Sequence, residues 1–227
     1  MNLFQRMALG MAAAQDDTPP AEGCLILLAK LDGYEAVWRR LRFPARYTLY
    51  QLHLAMQAVT LFNNSHLFQF SDNAQNLYVD KPLYDTGFDL FAPGRGSKFL
   101  AAKTPAGSVL RKRGAKIRYV YDMGDSWTFT IKAEKATPIP EGEAPIITCL
   151  AGEKSGPVED CGGVYGYLNI LKALAKPEPD DDDRQLLEWL GEHDPEHFDL
   201  EKANRGLARI KAPRPARSDG REALRRG

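Results

Sequence analysis

The sequence has few cysteines, and their spacing fits neither a metal site nor a disulfide framework. Cys24, Cys149 and Cys161 are the only cysteines in 227 residues, and no CxxC pair occurs. Small disulfide-stabilised domains and zinc ribbons both need denser, paired cysteines. The composition therefore predicts a protein of a reducing compartment, with the cytoplasm as the simplest setting.

An excess of charge and a long apolar run are also missing. Lys and Arg number 30, and Asp and Glu also number 30. A balanced chain creates no global field for nucleic acid or membrane, so any electrostatic partner must bind a local patch. No apolar run approaches the roughly 20 residues that span a bilayer. We therefore expect no membrane partner.

Composition divides the chain into one domain and two tails. The stretch "QDDTPPAEG" is a polar linker, so residues 1–23 are predicted to be a disordered N-terminal tail. Residues 24–211 carry the periodic apolar patterns of a single domain, and residues 212–227 are predicted to be a basic, disordered tail.

The periodicities within residues 24–211 predict an α+β fold, an antiparallel sheet of hairpins packed against several helices. "CLILLAKL" and "YEAVWRRLRF" flank an Asp-Gly turn and predict a hairpin. "TLYQLHLAMQAVTLF" has helical apolar spacing with Thr48 as N-cap, and His53 lies on its apolar face as an expected core histidine. Residues 81–115, rich in Gly, Pro and charge, are predicted to be a long insertion.

The stretch "YDMGDSW" at residues 121–127 lies between two alternating segments, "KIRYVYD" and "WTFTIKAEK". This pattern predicts two half-buried strands joined by a hairpin loop, in which Gly124 supplies a positive φ. Asp122 and Asp125 then lie at the mouth of the sheet. They either cap their own turn or face a metal ion or another cationic group.

A second acidic loop, "GPVEDCGG", precedes a predicted helix and contains Glu159 and Asp160. These carboxylates either cap the free N–H groups of the helix, coordinate a divalent ion or hold an arginine. Taken together, Asp122, Asp125, Glu159 and Asp160 form a candidate acidic site. With Mg²⁺ such a cluster is suited to hydrolysis of a phosphoester, provided that the two loops meet.

The C-terminal region offers a different candidate. Residues 205–227 contain eight Lys or Arg against Asp219 and Glu222, a net charge of +6. Such a segment either binds phosphates without sequence preference or is a solvated end. The candidate nucleic-acid contacts are Arg205, Arg209, Lys211, Arg214 and Arg217.

The order of these segments carries a resemblance. "VWRRLRFPARYTLYQLHLAMQAV", "SHLFQF", "YVYDMGDSWTFTIKAEK", "CLAGEKSGPVEDCGGVYGYLNILKAL" and "EWLGEHDPEHFDL" together resemble the plasmid pRiA4b ORF-3-like family over most of residues 24–211. The resemblance implies a compact α+β domain and an association with plasmids and insertion elements. Some relatives are described as transposon resolvases, but no serine embedded among catalytic arginines is found here.

This chain also departs from the family pattern. Gly156 and Val158 stand where relatives commonly have a further Cys and a second Pro, so any metal binding through thiols is weakened here. The resemblance transfers no established reaction, and it implies no cofactor. The sequence favours a non-enzymatic binding or accessory module linked to mobile elements, with an unidentified protein or nucleic acid as partner. A metal-dependent phosphoesterase and nucleic-acid binding through the tail are the alternatives.

Overall fold

The computed structural model of the chain describes residues 23–86, 96–139 and 141–213. Almost all of the two predicted tails lies outside the described residues, so their predicted disorder stays a prediction.

Within the described ranges, eight strands form one sheet in the order β5-β4-β3-β6-β7-β1-β2-β8. Their bounds are β1 Cys24–Leu31, β2 Trp38–Pro44, β3 Phe68–Asp72, β4 Leu77–Val79, β5 Lys98–Leu100, β6 Lys116–Tyr121, β7 Trp127–Thr137 and β8 Thr148–Glu153.

The described part of the chain also contains six α-helices and a 3₁₀ turn at Ala101–Lys103. The helices are α1 Leu49–Thr60, α2 Lys81–Asp85, α3 Ala106–Val109, α4 Gly163–Ala175, α5 Asp181–Leu190 and α6 Leu200–Leu207. Each of these helices is too short or too polar to span a bilayer.

The sheet is mixed, which corrects the prediction of a purely antiparallel sheet. β4 and β5 pair in parallel, whereas the other neighbouring strands pair antiparallel. Parallel pairing needs a long connection, and the residues between Val79 and Lys98 supply one. The predicted insertion at 81–115 therefore contributes an edge strand and short helices to the domain.

The sequence pattern assigns no strand to residues 148–153. They form the edge strand β8, with Arg39 opposite Gly152 and Leu41 opposite Cys149. The pairing of β8 with β2 contains a register shift, and this shift interrupts the two-residue alternation by which a strand is recognised in a sequence.

Alternation of side chains along the strands builds the core on one face of the sheet. Leu25, Leu27, Phe129 and Ile131 point to this face and are buried. The same core cluster includes buried residues of α1, α4 and α6. The predicted hairpins β1–β2 and β6–β7 are confirmed.

His53 lies in this core, as the pattern predicts, within a closed hydrogen-bond network. Nδ1 is 2.8 Å from the Tyr119 hydroxyl and Nε2 is 2.7 Å from Asn64 Oδ1. Gln57 Nε2 donates to the same Tyr119 hydroxyl at 2.9 Å, and Asn64 N donates to Gln57 Oε1 at 2.9 Å. The amide oxygen of Asn64 requires a proton on Nε2, so Nδ1 accepts from Tyr119 and the imidazole is neutral.

Candidate functional site

The β6–β7 loop is a tight turn, in agreement with the hairpin prediction, but its glycine does not have the predicted conformation. Asp122 and Ser126, rather than Gly124, adopt positive φ angles, 57° and 54°. The Asp122 carboxylate accepts from Gly124 N at 2.9 Å, and Ser126 N donates to the Asp122 carbonyl at 2.7 Å. Asp tolerates the left-handed region because its side chain bonds its own turn, which frees Gly124 from that role.

The loop before α4 places its two acidic residues differently. Asp160 has a positive φ of 59° and an exposed side chain. The Glu159 carboxylate instead turns inward, where Oε1 accepts from the Tyr121 hydroxyl at 2.7 Å and from Asn63 N at 3.1 Å. Glu159 therefore ties its loop to β6 and to the segment after α1.

The two acidic loops meet in space. Gly162 N donates to the Asp125 carboxylate at 3.3 Å. A Cβ atom added at Gly163 would lie 2.3 Å from the carbonyl oxygen of Asp125, and Gly163 has a φ of +67°. Only glycine fits at this crossing, so the backbones of the two loops are in direct contact.

His66 joins the loops from a third segment, just before β3. Its Nδ1 is 3.7 Å from an oxygen of Asp122, and its Nε2 is 3.5 Å from an oxygen of Asp160. The placement follows from strand pairing, because Asp122 N donates to the carbonyl of Leu67 at 2.9 Å. One ligand atom from each of His66, Asp122 and Asp160 lies within 4.8 Å of the others. These three residues are called the His-Asp-Asp cluster below.

The cluster combines a buried and an exposed side. Asp122 is 8% exposed, whereas Asp160 is exposed and His66 is half-buried. One nitrogen and two carboxylates are a ligand set that Zn²⁺ and Mn²⁺ accept. Ligand atoms bound at roughly 2.1 Å lie about 3 to 3.5 Å apart, so separations of up to 4.8 Å would have to shorten by about 1.3 to 1.8 Å for the cluster to hold an ion.

The four predicted acidic residues therefore fall into two pairs. Asp122 and Asp160 belong to the His-Asp-Asp cluster, whereas Asp125 and Glu159 hold the loops against each other. All four lie in one region, but the structure gives them different neighbours.

The cysteines do not join the cluster. Cys24 and Cys149 are buried, and Cys161 Sγ faces the carbonyl of Gly163 at 3.7 Å. Burial raises the pKa of the Cys161 thiol to about 12, so this thiol is protonated at neutral pH.

The predicted nucleic-acid contacts in the described part of the chain lie in α6 and directly after it. Arg205 is ion-paired with two carboxylates near the start of its own helix. Arg209 and Lys211 line a groove of about 650 Å³ beside α1. Arg214 and Arg217 lie outside the described residues.

Sequence reasoning missed His66 and Tyr121. His66 lies far before Asp122 in the sequence, and only the pairing of β3 with β6 brings the two residues together. The signal was present, because "HLFQF" and "YVYD" are both strand patterns. Their antiparallel pairing in this register would have placed the histidine beside the β6–β7 loop.

Comparisons with known proteins agree with this fold. The model of the family described as "Plasmid pRiA4b ORF-3-like protein" matches residues 25–202. The chain is 33% identical over 170 residues to "Uncharacterized protein y4hQ" of Sinorhizobium fredii, covering 74% of this chain and 79% of that protein. It is also similar to the crystal structure of the protein of unknown function MM3350 from Methanosarcina mazei, with a TM-score of 0.67 and 29% identity over 82% of this chain and 98% of that chain.

Proposed function

Since the chain belongs to the plasmid pRiA4b ORF-3-like family, whose matched relatives have names that specify no function, we propose from its geometry that it is a divalent-cation-dependent binding module. The cation ligands are His66, Asp122 and Asp160, and the partner contacts the exposed side of this site. A role beside plasmids or mobile elements belongs to the same proposal and is supported by the resemblance alone.

The observation that carries the proposal is the convergence of three ligand residues from three separate segments within 4.8 Å. Asp122 and Asp160 both have left-handed backbones, and each of these conformations directs a carboxylate toward the same imidazole. Two carboxylates held this close repel each other unless a positive charge lies between them.

The partner contacts the bound cation on the exposed side of the cluster. Three protein ligands leave coordination positions that water or an oxygen atom of a partner fills. Asp160, the exposed member, lies at the rim of the site, so a partner carboxylate or phosphate reaches the cation without a change in the core. Recognition through a shared cation needs no catalytic base.

Metal-dependent phosphoester hydrolysis is the second candidate, because a site with three protein ligands and open positions is also the arrangement of catalytic metal centres. The nearby Glu159 carboxylate already accepts two hydrogen bonds, which makes it a poor general base. Because Glu159 is a poor general base, we favour cation-dependent binding over hydrolysis.

The test is elemental analysis of the purified, tag-free protein, followed by thermal unfolding with Mg²⁺, Mn²⁺ and Zn²⁺. We expect about one ion per chain or a saturable rise in the unfolding temperature with at least one of these ions. The rise should disappear in Asp122→Asn, Asp160→Asn and His66→Gln. A phosphomonoester and a phosphodiester substrate, assayed with the same ions, then separate binding from catalysis.

Two variants in the same loops are matched controls. Asp125→Asn and Glu159→Gln remove the same charge but keep an oxygen that accepts the hydrogen bond seen in the structure. They should retain the metal-dependent rise. No bound ion and no rise would refute the proposal, as would an equal loss in the cluster variants and the controls.

A further inference from the structure

The sheet has a second face, opposite the core, on which charged side chains reach solvent. Alternation places Lys116 and Arg118 of β6 and Lys132 of β7 on this face, and all three are exposed. Leu28 and Lys30 of β1 point the same way. This surface is called the open face below, and it is separate from the His-Asp-Asp cluster at the end of the sheet.

The charges that β1, β2, β6 and β7 place on the open face are mostly cations, although acidic side chains of flanking segments also reach it. Seven of the eight Lys and Arg residues in β1, β2, β6 and β7 point to it, and Glu134 is the one acidic residue in these four strands. The chain as a whole has a formal net charge of zero, so this concentration is local. The outward cations are Lys30, Arg40, Arg42, Lys116, Arg118, Lys132 and Lys135.

The strand register sets these cations side by side. Lys116 lies directly opposite Lys132, and Lys132 is opposite Leu28, which is opposite Arg40 on the next strand. Like charges directly opposite on one sheet face destabilise it, and neighbouring strands are only about 4.8 Å apart. A polyanion lying across these strands would remove that repulsion.

The neutralisation of the open face by the protein itself is weak and incomplete. Four outward cations have carboxylate partners, in pairs with separations of 2.8 to 3.8 Å, that lie partly in solvent: Lys30–Glu35, Arg40–Glu134, Arg42–Glu143 and Arg118–Asp32. Apart from the bidentate Arg40–Glu134 pair, such solvent-exposed pairs contribute little to stability, so a phosphate group can replace the carboxylate. Within the described part of the chain, Lys116, Lys132 and Lys135 have no ion-pair partner.

A shallow groove with an apolar floor crosses the same face. Ile26 and Leu150 line it between Arg40, Arg42 and Lys135, and its volume is about 480 Å³. Glu134, the bidentate partner of Arg40, also lies in its lining. A base or sugar fits an apolar floor bordered by cations, but only an unpaired base is free to enter it.

We propose that the open face binds single-stranded nucleic acid through its phosphates, with little sequence preference. The cation rows contact the backbone and the groove accepts an unstacked base. Trp38, half-exposed at the start of β2, has the Arg40 guanidinium carbon 5.4 Å from its ring centre and supplies a stacking surface at the end of the row. Its indole N–H donates to the Glu153 carboxylate at 3.0 Å, which leaves the ring face for stacking. This proposal does not depend on the cation site.

The test uses the full-length chain and a fluorescein-labelled 20-nucleotide oligo-dT, with binding followed by fluorescence anisotropy from 50 to 300 mM salt. The variant Lys116→Gln/Lys132→Gln/Lys135→Gln removes the three unpaired cations. Each phosphate contact to a single strand adds about 0.7 to the salt slope, so the slope should fall by about 2. At 0.1 M salt this corresponds to an affinity about a hundredfold weaker.

The matched control is Lys103→Gln/Lys172→Gln/Lys202→Gln, which removes the same charge from exposed lysines on the helical side of the domain. Its affinity should stay within about threefold of the original chain, allowing only for the long-range part of the charge change. Circular dichroism and thermal unfolding establish that both variants are folded.

Three results would overturn the proposal. One is absence of measurable oligo-dT binding by the original chain at 50 mM salt. Another is equal weakening of the two triple variants, which would assign binding to net charge or to residues 214–227. The third is preferential binding to duplex DNA or to vesicles containing phosphatidylserine, which would make the open face a surface for a different partner.

Discussion

The buried imidazole of His53 makes the stability of the domain depend on pH in a range where few other groups titrate. Burial, the largest cause, lowers the pKa of His53 to about 4 from an ordinary value of 6.5. The imidazole stacks on Phe68 with ring centres 3.7 Å apart, and protonation of Nδ1 would set two donors against each other at Tyr119. The folded state therefore resists protonation.

The sign of the effect follows from proton binding. Below pH 6.5 the unfolded chain protonates His53 while the folded chain does not, so stability falls as the pH decreases and the loss is complete near pH 4. With these two pKa values the loss between pH 7 and pH 5 is about 2 kcal/mol, and the full loss is about 3 kcal/mol. The window from pH 7 to 5 lies above the range in which most carboxylates are protonated.

Urea unfolding at pH 7, 6 and 5, followed by tryptophan fluorescence, measures this loss. The variant His53→Gln should be less stable at pH 7, because it loses the stacking on Phe68, but its unfolding free energy should change much less with pH. His193→Gln is the control, since His193 is a second histidine with a lowered pKa and lies outside the network. Should His53→Gln retain the full pH dependence, the assignment of the effect to His53 would be wrong.

Two further predictions concern backbone contacts. Gly163→Ala should lower the unfolding free energy by about 1 to 3 kcal/mol and weaken the metal-dependent rise without changing any charge, because its Cβ would clash with the carbonyl of Asp125; unchanged stability, measured by urea unfolding, would contradict the close contact of the loops. Asn204→Ala should expose the outer edge of β8, because Asn204 accepts from Cys149 N at 2.8 Å and donates to Cys149 O at 3.1 Å. Light scattering over a concentration series should show self-association of this variant, and a monomer at all concentrations would refute the role of the clamp.

The sequence correctly predicts the elements whose apolar pattern lies within one short stretch of the chain. The hairpin β6–β7 follows from alternation on either side of one turn, and α1 follows from its apolar stripe with Thr48 at the N-cap. Both depend on residues within about a dozen positions, where periodicity is informative.

The elements that the sequence does not predict depend on distant partners. β5 has three residues and is a strand because β4 lies beside it, and β8 becomes a strand by pairing with β2 across a register shift. Neither segment has an alternating pattern long enough to recognise. The parallel pairing at β5 therefore could not be inferred from local signals.

The candidate site shows the same division. Asp122 and Asp160 stand out in the sequence because each lies in a turn with glycine neighbours. The contribution of His66 depends on the register between β3 and β6, and the separate role of Glu159 depends on the Tyr121 hydroxyl. Residue types identified the acidic loops, but only tertiary structure could divide their carboxylates into members of the His-Asp-Asp cluster and loop contacts.

The Tyr121 hydroxyl has a consequence for the cost of ligand binding. It donates to Glu159 and accepts from Ser65 N at 3.0 Å, so one atom connects the segment before β3 with the loop before α4. The three segments that carry the His-Asp-Asp cluster are thus ordered by the fold before any ion arrives. The conformational entropy of assembling the ligands is lost during folding, and an ion that binds there needs to offset only dehydration and a contraction of about 1.3 to 1.8 Å.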